Sequence, residues 1–192
     1  MITGSFDKIL QEASGVNLKQ MQLASTGWFK EQLKQIHKNR FNKYQFIAQG
    51  QQYKTKRMEI GKMYMFEYFP KHVNSLPVWD RYPLIIPFNT APQGFVGINF
   101  HYLPHKIRAW LLNQLLRNSN DRTNKLYITW ELLSKFSRAN VGEYATHRYL
   151  LSHVTSPFRL IPIEDYSKAI LLPMASWYGN DKRAISKFRR QI

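Results

Sequence analysis

The chain has 192 residues, of which 44% are hydrophobic and 15% aromatic, and its 28 Lys and Arg outnumber its 12 Asp and Glu to give a net charge of +16. This apolar content is too high for a disordered polyelectrolyte, so the charge belongs to a folded protein of about one domain in length. Cysteine is absent, which excludes disulfide bonds, a thiolate nucleophile and cysteine-based zinc sites.

The beginning of the chain predicts neither export nor membrane anchoring. Residues 1–8 lack the uninterrupted apolar core of a signal peptide. No stretch of the sequence reaches the roughly 18 apolar residues that a transmembrane helix needs. We therefore expect a protein without a signal peptide and without a membrane span.

Residues 1–60 are predicted to form a basic helical N-terminal segment, with ten Lys and Arg against four acidic residues. A helix is predicted over residues 28–37, because apolar residues recur there on one side while lysines fall on another. Residues 48–53 show no apolar period and are predicted to form an extended connection.

Three short strands are predicted in the middle of the chain. They correspond to the apolar and aromatic runs Gly61–Phe69, Tyr82–Phe88 and Gly94–Phe100. Proline and glycine separate these runs, which favours a small antiparallel, partial-barrel-like sheet. The core of this sheet is predicted to contain large apolar residues from all three runs: Tyr64, Phe66, Ile85, Phe95 and Ile98.

Helices are predicted to return after the sheet. Apolar residues at helical spacing indicate an antiparallel pair over residues 105–117 and 125–138, and further helices at about 144–153 and 163–172. The predicted fold class is therefore α+β, a small antiparallel sheet in the middle of the chain packed with helices before and after it. We divide the chain into the basic N-terminal segment, residues 1–60, and a compact α+β domain, residues 61–192.

The domain ends in a predicted basic amphipathic helix, which Asn180 or Asp181 is expected to cap. Its apolar stripe and its cationic stripe lie on different sides: Ile185, Phe188 and Ile192 against Arg183, Lys187 and Arg190. Because about a dozen residues are too few for a stable isolated helix, we expect the apolar stripe to dock on this protein or on a partner, while the basic stripe faces an acidic surface. A solvated tail is the alternative.

No nucleotide-binding or catalytic motif is present, because the chain has neither a P-loop nor a Gly-x-Gly-x-x-Gly fingerprint. His101 and His105 are predicted to be ordinary surface or loop histidines, with metal ligation as the alternative. His147 and His153 are predicted to be structural, although histidines in a basic context also bind phosphate. The sequence therefore predicts no catalytic residue, no metal and no cofactor.

Two pairs of charged neighbours are predicted to have structural roles. Glu164 and Asp165 follow a proline and fit the acidic first turn of a helix better than a metal site. Asp80 and Arg81 lie among aromatic residues and prolines between the first two predicted strands. Their charges predict a charge-assisted bond that locks this loop, in preference to a binding role.

The cations expected to contact a partner or nucleic acid lie in the N-terminal segment and the C-terminal helix. They are Lys30, Lys34, Lys38, Arg40, Lys43, Lys54, Lys56, Arg57, Lys182, Arg183, Lys187, Arg189 and Arg190. Aromatic residues are interleaved with cations between residues 43 and 68, an arrangement that can stack bases beside a nucleic-acid backbone. For Tyr64, Phe66 and Tyr68 we favour the alternative that they are core residues of a strand.

Several stretches of the sequence carry a resemblance to a known family. They are Gly61–Lys71, Leu76, Pro77, Asp80, Tyr82–Leu84, Gly94–Pro104, Arg108, Tyr149–Val154 and Leu172–Pro173. Over about residues 61–190 the chain resembles small basic virion-associated proteins of contractile-tailed bacteriophages, some of which are labelled DNA end protectors. The resemblance implies a location in the virion after synthesis in the host cytoplasm, and it transfers no catalytic residue.

Two functions from different classes remain open. The main prediction is a non-enzymatic structural component of a phage virion, in the tail, baseplate or neck, that docks between larger virion proteins through its basic surface. Its oligomeric state would be set by the assembly. The alternative is a phage DNA-binding protein that neutralises phosphates at genome ends, of the DNA end protector type.

Overall fold

The computed structural model describes residues 54–55, 57–118, 125–171 and 174–190. The helix predicted over residues 28–37 and the connection predicted over residues 48–53 lie outside the described residues. The division of the chain near residue 60 stays a prediction. No helix in the described ranges is long and apolar enough to cross a membrane.

The described part of the chain contains eight short strands in two antiparallel sheets. The strands are β1 (Lys54–Thr55), β2 (Tyr64–Met65), β3 (Trp79–Asp80), β4 (Leu84–Ala91), β5 (Gly94–Asn99), β6 (Thr146–Leu150), β7 (Phe158–Leu160) and β8 (Trp177–Tyr178). The larger sheet has the order β1-β7-β2-β4-β5-β6, and β3 pairs with β8 in the smaller one. The predicted α+β class and antiparallel sheet are confirmed. The sheet is open, with β1 and β6 at its edges, and does not close into a barrel.

The longest hairpin joins β4 to β5 and confirms two of the three predicted strands. The two strands are connected through Gln93, whose φ of 59° lies in the left-handed region. Their pairing shifts register between Pro87 and Asn89. This irregularity accommodates a proline, which cannot donate a hydrogen bond to the ladder. The Pro87 carbonyl accepts a hydrogen bond from the Gly61 amide at 2.8 Å.

The first predicted strand is buried as expected but shorter than expected. Within the run Gly61–Phe69, the regular strand β2 covers two residues and lies between β4 and β7. Further along, Tyr68 forms an isolated antiparallel bridge with Val154. The run is therefore an irregular central strand, held by side-chain burial more than by a long ladder.

One aromatic cluster forms the core of the larger sheet. All five predicted core residues are buried, with at most 6% of their surface exposed. Phe66 makes edge-to-face contacts with Phe95, Tyr149 and Phe158 at centroid distances of 6.0, 5.5 and 5.2 Å. Such pairs contribute about 0.5–1.5 kcal/mol each beyond the burial of area. The core interpretation of Tyr64, Phe66 and Tyr68 is therefore confirmed, and these three rings are not available to stack on bases.

Five α-helices lie within the described ranges. They are α1 (His105–Asn118), α2 (Lys125–Ser137), α3 (Asn140–Ala145), α4 (Tyr166–Leu171) and α5 (Lys182–Arg190). The helices predicted at residues 105–117, 125–138 and 163–172 are confirmed. α1 and α2 contact each other through the rings of Trp110 and Phe136, whose centroids are 6.2 Å apart. A 3-10 turn, Ile163–Asp165, precedes α4, and Lys168 donates to Asp165 at 2.6 Å.

The prediction of a helix at residues 144–153 is wrong. Half of this segment is strand β6; helix α3 ends just before it, and the 3-10 turn Leu151–His153 follows it. β6 pairs along its whole length with β5, and Tyr149 fills the aromatic cluster. A Cβ at Gly94 would lie 1.9 Å from the Tyr149 carbonyl oxygen, so the absence of a side chain permits this close approach. Pairing with a distant strand therefore overrides the local helical pattern.

A buried guanidinium connects the sheet to the helices. Arg108 is fully buried and donates to the carbonyls of Leu103, Ile170 and His101 at 2.7, 3.0 and 3.0 Å. Burial lowers the pKa of Arg108 to about 10, so the side chain stays charged at neutral pH. Three carbonyl acceptors compensate part of the cost of burying this charge and fix α1 against α4.

His147 is held in its neutral form inside the fold. Its ring lies against that of Tyr102, with 4.3 Å between centroids. Burial lowers the pKa of His147 to about 4, whereas an unperturbed histidine titrates near 6.5. The predicted structural role of this histidine agrees with these surroundings.

We predict that Phe66→Ala lowers the free energy of unfolding by about 3–5 kcal/mol, because it removes the ring at the centre of the aromatic cluster. Chemical denaturation followed by circular dichroism measures the change. Tyr144→Ala is the control, since the Tyr144 side chain is 74% exposed. If Phe66→Ala and the control unfold at the same denaturant concentration, the core assignment is wrong.

We predict that stability rises with pH between about 4 and 6.5, the folded and unfolded pKa values of His147. In this window the unfolded chain binds a proton that the native protein does not, so acid favours unfolding by up to about 3 kcal/mol. Denaturation of the parent and of His147→Gln across this range measures the effect. The variant should lose most of the slope, and His72→Gln, at an exposed position, should keep it. An unchanged slope in His147→Gln would contradict the assignment.

Candidate nucleic-acid interface

The C-terminal helix α5 presents a cationic face to solvent. Four of its cations are exposed: Lys182, Arg183, Lys187 and Arg189. No acidic residue lies within α5, whereas Ile185 and Phe188 are partly buried. The predicted amphipathic helix is therefore confirmed, with its charge directed outward.

Asp181 caps the first turn of α5. Its Oδ1 accepts hydrogen bonds from the amides of Arg183 and Ala184 at 2.8 and 3.0 Å. The carboxylate also complements the positive end of the helix dipole, while Lys187 and Arg189 lie toward the negative end. Of the two predicted caps, Asp181 is the one used, and its short-range geometry fixes where the helix begins.

The apolar side of α5 docks on this protein. The ring of Phe188 stacks on Trp177 at 4.8 Å between centroids and contacts the edge of Tyr102 at 5.2 Å. Trp177 is buried and belongs to β8. The apolar stripe of this helix therefore docks on the protein's own fold. This docking explains how a helix of nine residues is stable.

A glycine turn sets the direction in which α5 leaves the small sheet. Gly179 has a φ of +142°, and a Cβ there would lie 2.3 Å from the Pro77 carbonyl oxygen. The following amides of Asn180 and Asp181 donate to the carbonyls of Leu76 and Pro77 at 3.1 and 3.0 Å. The start of α5 is therefore fastened to the loop before β3.

Asp80 connects the segments around the small sheet by hydrogen bonds. Its partners do not include Arg81, the partner predicted from the sequence. Its side chain is buried, and its Oδ1 accepts from the amides of Tyr82 and Ser176 at 3.1 and 2.9 Å. Its Oδ2 lies 2.6 Å from Nδ1 of His101, which is also buried. His101 was predicted to be a surface or loop histidine; it lies in the 3-10 turn after β5 and is buried, so the surface assignment is wrong. The predicted bond to Arg81 is replaced by these contacts, and the locking role of Asp80 is retained.

Arg81 pairs instead with Glu67, with 2.6 Å between the guanidinium and the carboxylate. Partial burial opposes ionisation of Glu67, but hydrogen bonds from Arg81 and Thr155 outweigh it and lower the pKa of Glu67. The Arg81 guanidinium also lies over the Phe69 ring, 4.9 Å from its centroid. One side chain thus makes both an ion pair and a cation–π contact.

A group of aromatic residues beside α5 was not predicted from the sequence. Phe69, Trp79 and Tyr178 form a row in which successive ring centroids are 5.8 and 5.1 Å apart. We call these three residues the aromatic row. The only indication of the aromatic row in the sequence is that Tyr178 directly precedes the basic C-terminal segment. The other two members are distant from it in sequence.

The remaining predicted contact residues are spread over the chain. Arg57 is exposed and follows β1 at the edge of the larger sheet, and Lys54 lies within β1. Arg190 is the last residue of α5. The other N-terminal cations lie outside the described residues: Lys30, Lys34, Lys38, Arg40, Lys43 and Lys56. Of the predicted contacts within the described residues, five lie on α5 and two, Lys54 and Arg57, lie in or next to β1.

In the described ranges no group of three or more His, Asp or Glu side chains is placed to hold a metal ion. Nδ1 of His153 lies 2.8 Å from the Phe69 carbonyl oxygen, a structural contact of the kind predicted for this residue. The candidate site is thus a cationic surface beside exposed aromatic rings.

Comparison with known proteins identifies the family. Residues 1–189 match the family described as Phage T4 terminal DNA protecting protein. No curated protein and no solved structure matches the chain significantly. The family match spans nearly all of the 192 residues and confirms the resemblance to phage proteins labelled DNA end protectors. The chain therefore belongs to the phage T4 terminal DNA protecting protein family.

Proposed function

We propose that this protein binds the ends of a phage DNA genome and shields them, with the exposed face of α5 as a principal contact for the phosphates. The observation that carries the proposal is the family match over residues 1–189. The exposed Lys and Arg side chains of α5, which is docked on the fold, can bind the phosphates of such DNA. The match supports the DNA-binding alternative over the predicted tail or baseplate role.

The dimensions of α5 suit a DNA backbone. A helix of nine residues is about 13 Å long. One strand of B-DNA carries about four phosphates over that distance. The four exposed cations of α5 are therefore equal in number to the phosphates along a stretch of backbone of that length.

Protection of this kind needs no bond to be made or broken. A protein that occupies the terminus excludes other proteins from it, which agrees with the prediction of a non-enzymatic protein. We further propose that it is carried in the virion after synthesis in the host cytoplasm, with DNA and other virion proteins as partners.

We predict that the parent binds short duplex DNA with a log-log salt slope steeper than about −2, and that neutralising α5 flattens it. The triple variant Lys182→Gln, Arg183→Gln, Lys187→Gln should reduce the slope by about 0.9 for each phosphate contact that it removes, up to about 2.7. Fluorescence anisotropy at increasing salt measures both slopes. The same assay with linear DNA and a closed circle of equal sequence measures preference for ends.

The matched control removes the same charge elsewhere. The triple variant Lys71→Gln, Lys106→Gln, Arg138→Gln neutralises three exposed cations outside α5. If both triple variants weaken binding equally, the net charge acts alone and α5 is not the contact. A parent slope shallower than about −2 would favour the structural virion role instead.

A further inference from the structure

The aromatic row is partly open to solvent. Phe69 and Tyr178 are 37% and 42% exposed, while Trp79 between them is buried. Trp79 and Tyr178 stack with 26° between their planes, and Phe69 tilts by 52° against Trp79. Isolated exposed aromatic residues are common on proteins, but here three rings contact one another and two remain accessible.

The backbone fixes the row in place. β3 pairs with β8 so that Trp79 lies opposite Tyr178, and the neighbouring pair joins Asp80 to Trp177. Asp80 is the buried anchor described above. The rings therefore keep their positions without a ligand, which reduces the conformational entropy that binding would cost.

Two cationic side chains lie beside Tyr178: Arg81, which is paired with Glu67, and Arg189. The pKa of Tyr178 is lowered by a hydrogen bond with Ser176, and also by a hydrogen bond with Arg81 and the charges of Arg81 and Arg189. Arg189 lies on the exposed face of α5. A strand whose phosphates contact α5 would thus bring its bases close to the aromatic row.

We propose that the aromatic row is a stacking platform for an unpaired base at the end of the DNA. This inference rests on the proposed function and names the part of the DNA that is recognised. Exposed rings beside cations are the arrangement by which proteins bind single strands, because every base has a face on which a ring can stack. The outer ring of the row, Tyr178, would receive the base while Arg189 and its neighbours on α5 hold the backbone.

The geometry favours a single unpaired base over a terminal base pair. Trp79 is buried and stacks on Tyr178 with 26° between their planes, so the row offers only the outer face of the single Tyr178 ring, which is narrower than a base pair. Bases inside a duplex are stacked on both faces and are not accessible to the row. The platform therefore distinguishes an end with an overhang from continuous duplex.

The test compares three DNAs that share one duplex. One carries a short unpaired overhang, one carries the same overhang lacking its bases, and one is closed at both ends by linkers that contain no bases. The parent should bind the overhang at least about five-fold more tightly than the abasic overhang, the lower limit for stacking of one base. Tyr178→Ala should lose this preference while keeping its affinity and salt slope on the closed DNA. Tyr178→Phe, which keeps the ring, should retain the preference.

Two further variants keep the test decisive. Tyr178→Leu, which keeps an apolar side chain but removes the ring, should also lose the preference and is used if Tyr178→Ala folds poorly. Tyr144→Ala removes an exposed ring from α3 and should behave as the parent. Equal binding of the overhang and its abasic form by the parent would overturn the platform. If the parent instead fails to bind any duplex in a salt-dependent manner, the proposed function itself is wrong.

Discussion

The arrangement of the candidate site depends on one buried carboxylate. Asp80 is 3% exposed and accepts hydrogen bonds from backbone or side-chain groups of Tyr82, His101 and Ser176, which lie far apart in sequence. A buried carboxylate without partners would cost several kcal/mol, so this position is stable only when the segments that supply the donors are together. The same constraint places β3 against β8, and β8 leads directly into α5.

Helix α5 is highly basic and depends on its contacts with the rest of the fold for stability. Five like charges within nine residues repel one another, and so short a helix is unstable alone. Docking of Phe188 on Trp177 and Tyr102, together with the Asp181 cap, offsets this repulsion. The cations are then presented from a fixed backbone, so less conformational entropy is lost when they meet phosphates than in a free tail.

Elements specified by nearby residues were predicted, and those specified by distant residues were not. The β4–β5 hairpin, helices α1, α2 and α4 and the cap of α5 all have local signals, although the short helix α3 was not predicted. Strand β6 was missed because its conformation is set by pairing with β5, which is about fifty residues away in sequence. The partners of Asp80 and the aromatic row were missed for the same reason. Phe69 and Tyr178 both contact Trp79 because β3 pairs with β8, which is distant in sequence.

Cations and aromatic rings would contribute differently to recognition of a DNA end. A net charge of +16 attracts every phosphate equally, so charge alone gives tight but indiscriminate binding. Bound at random along the DNA, the protein would be diluted over a great number of internal sites. Discrimination requires a contact that only a terminus satisfies, and an unpaired base face is such a feature. A cationic helix fixed beside exposed rings combines both requirements on a single surface.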